Sequence, residues 1–175
     1  MKLRNVAIFT GKRFKVPQCI QRIDHRATHG WQLRYGGTKM FSDFTPDGRG
    51  ARESLARATD ELLARIARLP APTKLQARPS AGKASGLPVG VYGPVVRLRE
   101  GSRLRNCSFS VSLPRFGDSP TRRSVYIGSE ATYTPEKHQL ALEKAIRLRE
   151  LAAQAYRSAA TKARRAEARA HGKPV

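Results

Sequence analysis

Four histidines, two cysteines and 13 carboxylates are the side chains of this 175-residue chain that could move a proton, hold a metal ion or attack a substrate. Their spacing argues against all three. His25, His29, His138 and His171 fall in no HExxH, HNH-like or H-x-x-R arrangement, and His25 and His29 read as turn or surface residues. Cys19 and Cys107 belong to no CxxC pair, which points to free thiols rather than a zinc site or a disulfide framework. Asp43 and Asp47 flank a loop, where capping or turn roles explain them, and Asp60 and Glu61 lie among helical arginines as solvated ion pairs. Gly82-Lys83 lacks the GxxxxGK[ST] spacing of a phosphate loop. No enzyme activity, cofactor or metal is expected.

Cationic chemistry remains. Lys and Arg number 34 against 13 acidic residues, a net charge of +21 with a pI near 11.3, well beyond what solubility requires. Such a chain attracts polyanions. No run of about 18 apolar residues could span a membrane. The opening MKLRNVAIFTGKRFKV has no continuous apolar region and no small-residue cleavage site, so a cytoplasmic, nucleoid-associated location is expected.

The charge is unevenly spread. Residues 1–49 carry ten basic and three acidic side chains, and residues 91–129 carry seven arginines against Glu100 and Asp118. Residues 50–69 have four against three, and residues 130–152 four against four. Residues 70–90 add three basic side chains and residues 153–175 six against one acidic, so the excess lies on the two regions that read as strands, on the linker and on the tail, and is missing from the two that read as helices.

Those regions repeat one order of elements. In the first half, Pro17 to Arg26, Trp31 to Tyr35 and Thr38 to Phe44 read as strands separated by turns at 27–30 and at Gly36-Gly37. A helix from about Gly50 to Leu69 follows, with Leu55, Leu62, Ile66 and Leu69 at helical spacing beside Ala51 and Ala58, and Pro70 ends it. In the second half, Val91 to Arg99, Cys107 to Leu113 and Ser124 to Ile127 read as strands, with a longer loop, PRFGDSPTRR, before the last. A helix starts at Pro135 behind Thr134 as N-cap, its core face carrying Leu142, Ala145, Ile146, Leu148 and Ala152. The expected fold is α+β: two tandem modules, each a three-stranded antiparallel sheet packed on one C-terminal helix. Residues 1–69 form the first with an N-terminal arm, 70–90 a Pro/Ala/Gly linker, 91–156 the second, and 157–175 a basic tail. That tail is either a helical extension pairing two protomers or an arm lying on phosphates, and its charge favours the arm.

Strand alternation assigns faces. Trp31, Leu33 and Tyr35 turn one way, toward the helix, with Gln32 and Arg34 on the other side. Phe109, Val111 and Leu113 with Val96 and Leu98 turn inward, leaving Ser108, Ser110, Ser112, Arg97 and Arg99 outside. Arg22 and Arg26 share a parity that would join Arg34, and Lys39, Arg122 and Arg123 complete the candidate set. A polar, basic sheet face suits a ribbon in a DNA major groove, with arginine on guanine and lysine on phosphate. The plainer explanation is a one-sided antiparallel sheet with solvated charges.

The stretches GWQLRYGGTKMFSDF with ARESLARATDELLARI, and CSFSVSLPRFG, RRSVYIGS and TPEKHQLALEKAIRLREL, resemble the Apetala-type, or ethylene-response-factor-type, DNA-binding domain in its bacterial and phage forms. The resemblance covers most of both halves. It implies a three-stranded sheet packed on one helix and laid in the major groove, with Arg22, Arg26, Gln32 and Arg34 in one copy and Arg97, Arg99, Ser110 and Arg123 in the other as contacts. The plant form also places strand tryptophans at DNA, whereas Trp31 has inward parity. The expected function is therefore non-enzymatic binding of double-stranded DNA in transcription regulation or on a mobile element or chromosome. The alternative is an RNA- or ribosome-associated basic protein, which exposed stacking aromatics would favour.

Overall fold

The structure, a computed structural model, describes residues 1–26, 28–79, 81–82, 85–98, 101 and 103–171, the last by its backbone alone. It is α+β. Strands β1 (Leu3–Ala7) and β2 (Arg13–Pro17) form an antiparallel hairpin, and β3 (Ile20–His25), β4 (Thr28–Arg34) and β5 (Thr38–Ser42) form a three-stranded antiparallel sheet followed by helix α1 (Ala51–Arg68). Strands β6 (Val91–Leu98), β7 (Arg105–Arg115) and β8 (Asp118–Ser129) form a second antiparallel sheet in that order, followed by helix α2 (Pro135–His171). Two compact units result: Met1–Pro72 with the chain from Thr161 onward, and Thr73–Ala160.

The first unit's core forms because β4 alternates and α1 repeats. Trp31 and Leu33 are fully buried with Ile20, against Ala51, Ala58, Leu62 and Ile66 on one stripe of α1. The Trp31 indole N–H donates to the Ala51 carbonyl at 2.8 Å, and Phe14 meets the ring edge-on at 5.8 Å. Ser54 also lies on the buried stripe, where its hydroxyl donates to Asp43. Gly50 lets the start of α1 approach the Asp43 carbonyl; a Cβ there would sit 2.0 Å from that oxygen. Between β4 and β5, Gly36 and Gly37 adopt φ of 61° and 111°, open to glycine and strained for other residues.

In the second unit Phe109 and Val111 are buried with Val91, Val125 and Ile127 beneath Ala141 and Ala145 of α2. The Thr134 hydroxyl accepts the Lys137 N–H at 3.2 Å, so α2 begins at the expected cap. Arg149 reaches from α2 to donate to the Ser112 carbonyl at 2.8 Å, tying helix to sheet.

Several expectations are corrected. The N-terminal arm is the β1–β2 hairpin, whose inward residues Val6, Phe14 and Val16 pack on or into the first core. Pro17 ends β2 instead of opening the next strand, because Cys19 at φ 78° turns the chain. The loop expected at 114–123 is strand on both sides of a two-residue turn at Phe116-Gly117, closed by the pair Arg115↔Asp118. Its prolines are tolerated because Pro120 lies on edge strand β8 and Pro114 at a register irregularity. Val96 and Leu98 stay 59% and 66% exposed instead of joining the core. The tail from residue 157 continues α2 to His171, as its alanine and arginine content allows, and Ala168 is buried in the first unit's core.

Candidate nucleic-acid interface

The second sheet keeps one face clear of its helix. Cross-strand partners share a face, so the pairs Arg97↔Asn106, Ser108↔Tyr126, Tyr92↔Ser110↔Ser124 and Ser112↔Arg122 define it. Ser108 and Ser110 floor a shallow hollow of about 230 Å³ that is also lined by Val95, Arg97, Arg122, Arg123 and Ser124. Arg97 and Arg122 are exposed, and neither has an ion-pair partner among the described residues; Asp118 and Glu130 pair instead with Arg115 and Arg105. Short hydroxyl side chains between free guanidinium groups leave space and donors for an incoming anion or base edge. Arg123 also borders the hollow, although its pairing opposite Val111 gives it the parity of the covered face. Arg99 lies outside the described residues.

The first sheet is different. Its uncovered face holds Gln21, Ile23, Gln32, Arg34, Thr38, Met40 and Ser42. Arg34 is exposed, and its Nε donates to Gln32 Oε1 at 2.6 Å. Arg26 is an exposed turn residue at φ 48°, just beyond the closing pair His25↔Thr28, and not a member of the sheet face.

Arg22 does not lie on the uncovered face. The β3–β4 register sets it opposite Trp31, and so on the helix side, with a side chain only 5% exposed. Its guanidinium lies 5.0 Å from the Trp31 ring centroid and binds both Asp43 carboxylate oxygens, at 3.1 and 2.6 Å, and Asp24 at 2.9 Å. Burial opposes its charge, but the hydrogen bonds to Asp43 and Asp24 outweigh that and hold the group above its ordinary range. Lys39 is likewise corrected: opposite Leu33, it has helix-side parity, and its amine reaches Glu61 at 3.4 Å and the Phe41 ring at 5.3 Å. Asp43 is the partner of Arg22 and Ser54 as well as the residue closing the loop toward α1, which goes beyond the turn or cap role expected for it.

Tyr126, not among the residues expected at this face, is 58% exposed on the uncovered side of the second sheet. Alternation carried the signal, because Tyr126 stands between the inward residues Val125 and Ile127. Among the described residues no helix is long and apolar enough to cross a membrane, and no cluster of three or more His, Cys, Asp or Glu could hold a metal ion. Compared with protein-family models, curated proteins and solved structures, the chain matches none.

Proposed function

We propose that the chain is a non-enzymatic DNA-binding protein that lays the uncovered face of β6–β8 in the duplex major groove, in transcription regulation or in mobile-element or chromosome binding. The observation that carries this reading is the serine-floored hollow bracketed by Arg97 and Arg122, cations with no ion-pair partner among the described residues. A guanidinium can make paired hydrogen bonds to guanine, and serine can meet any base edge or a phosphate. The order of three antiparallel strands and a helix in each half is what the Apetala-type resemblance implies, and we read the halves as two tandem modules joined through residues 70–90. Tethering makes the second binding step intramolecular and raises avidity.

The test compares duplex DNA, duplex RNA and single strands across a salt series. Each neutralised phosphate adds roughly 0.9 to the negative log–log slope on duplex DNA. A steep slope with DNA preferred supports the reading, and Arg97→Ala or Arg122→Ala should each weaken DNA binding by about 1–3 kcal/mol without changing the melting temperature. Equal or tighter binding to RNA overturns it in favour of an RNA- or ribosome-associated role. That second reading has one observation of its own, exposed Tyr126 beside the same hollow, since single-stranded RNA is commonly held by stacking on aromatic rings.

A further inference from the structure

The cations of the first unit gather away from its sheet face. Residues 1–15 hold Lys2, Arg4, Lys12, Arg13 and Lys15 and no acidic residue. Because β2 alternates, Phe14 and Val16 turn to the core while Arg13 and Lys15 turn outward. The turn end of this hairpin is held beside the start of α1: a Cβ on Gly48 would meet Ile8, Phe9 and Thr10 within 3.1–3.4 Å. Between them opens a cleft of about 450 Å³ lined by Lys12, Arg13, Arg49 and Arg52, with Glu53 the one acidic residue on its wall. Arg49 is engaged by Asp47 at 2.7 Å. Lys12, Arg13 and Arg52 have no ion-pair partner among the described residues.

Two further features bear on what the cleft would take. Phe14, which lines it, packs against Trp31, so the cleft lies on the helix side of the sheet, away from Gln32 and Arg34. Gly50 supplies no side-chain cap to α1, leaving the positive end of the helix beside the arginines. Three unpaired cations around one opening favour an extended anion with repeated charge over a single carboxylate. Guanidinium groups match phosphodiester oxygens in geometry.

We infer that this cleft holds the phosphate backbone of nucleic acid, and that the first unit binds through its hairpin and helix start, not through its sheet. The inference rests on the nucleic-acid reading above but on different residues. The two are separated by titrating duplex DNA over a salt series with the full chain, the variant Lys12→Gln/Arg13→Gln/Arg52→Gln, and the variant Arg97→Ala/Arg122→Ala. The cleft variant should bind roughly 10- to 100-fold more weakly near 0.1 M salt and lower the slope by about 2–3, as loss of three phosphate contacts implies. Trp31 fluorescence and the unfolding midpoint should not move. If the triple variant fails to fold, Arg52→Gln alone should lower the slope by roughly 0.9.

An unchanged slope in the cleft variant, with binding lost in the sheet variant, overturns the cleft and leaves the sheet reading standing. The converse result retains the cleft and overturns the sheet. If neither variant departs from the parent, both fail. Vesicles of anionic phospholipid form a control arm: cleft-dependent binding to them, with none to DNA, would assign the surface to a membrane and overturn the inference.

Discussion

Trp31 and Arg22 together join the first sheet to its helix. The indole is closed in by Phe14 at its edge, Arg22 over its ring and the Ala51 carbonyl at its nitrogen. Trp31→Ala should cost about 3–5 kcal/mol by denaturant unfolding, through lost burial and a cavity. Arg22→Ala should cost a similar ~3–5 kcal/mol, because Asp43 would be left buried and charged with its main partner gone. Neither loss should depend on DNA, so a normal melting temperature in Arg22→Ala would refute the buried ion pair. Asp24 adds a pH dependence. Burial alone would raise its carboxyl, but hydrogen bonds from Arg22 and His29 outweigh it and hold the group below the ordinary carboxylate range. A lowered folded value gives stability that is complete above the ordinary range near pH 4 and is lost as pH falls through the folded value. Unfolding midpoints measured from pH 6 to pH 2 should therefore fall less steeply in Asp24→Asn than in the parent.

At the level of elements, legibility followed periodicity. The stripe Ala51, Ala58, Leu62, Ile66 marks α1, and the strict alternation from Cys107 to Leu113 marks β7, because each pattern has one solution that buries the apolar set. Faces within a strand were readable only where an apolar residue pinned them. The face of Gln32 and Arg34 follows from their buried neighbours Trp31 and Leu33, whereas that of Arg22 needs the register between β3 and β4, which the pair His25↔Thr28 closes and the sequence leaves open. The β1–β2 hairpin escaped notice because charged residues interrupt its short apolar alternation. Pro114 and Pro120 argued for a loop that strand pairing overrides at an edge and at an irregularity. The basic cleft was invisible for a further reason: its residues come from a hairpin turn, a loop and a first helical turn that meet only in the fold.

For the molecule as a whole, the chain beyond residue 160 completes the first unit. Ala168 is buried against its core, the Arg165 side chain donates to the Ile66 carbonyl near the end of α1 at 3.3 Å, and the Thr161 hydroxyl accepts the Ala71 N–H at 3.0 Å. This packing is incomplete, because Leu63, Ile66 and Ala67 still line an open hollow of about 310 Å³ with Arg165, Ala168 and Arg169. A contact built on alanine and a few hydrogen bonds is worth roughly 1–2 kcal/mol. Ending the chain at Ala160 should lower the first unit's stability by about that amount. Since Trp31 is the single tryptophan and lies in that core, its fluorescence reports this unit alone. Thermal unfolding followed by that fluorescence should shift down in the truncated chain, while circular dichroism retains a component at the original temperature from the second unit. An unshifted tryptophan transition would mean that the end of α2 contributes nothing to the fold of the first unit, and that its charge is available for another role.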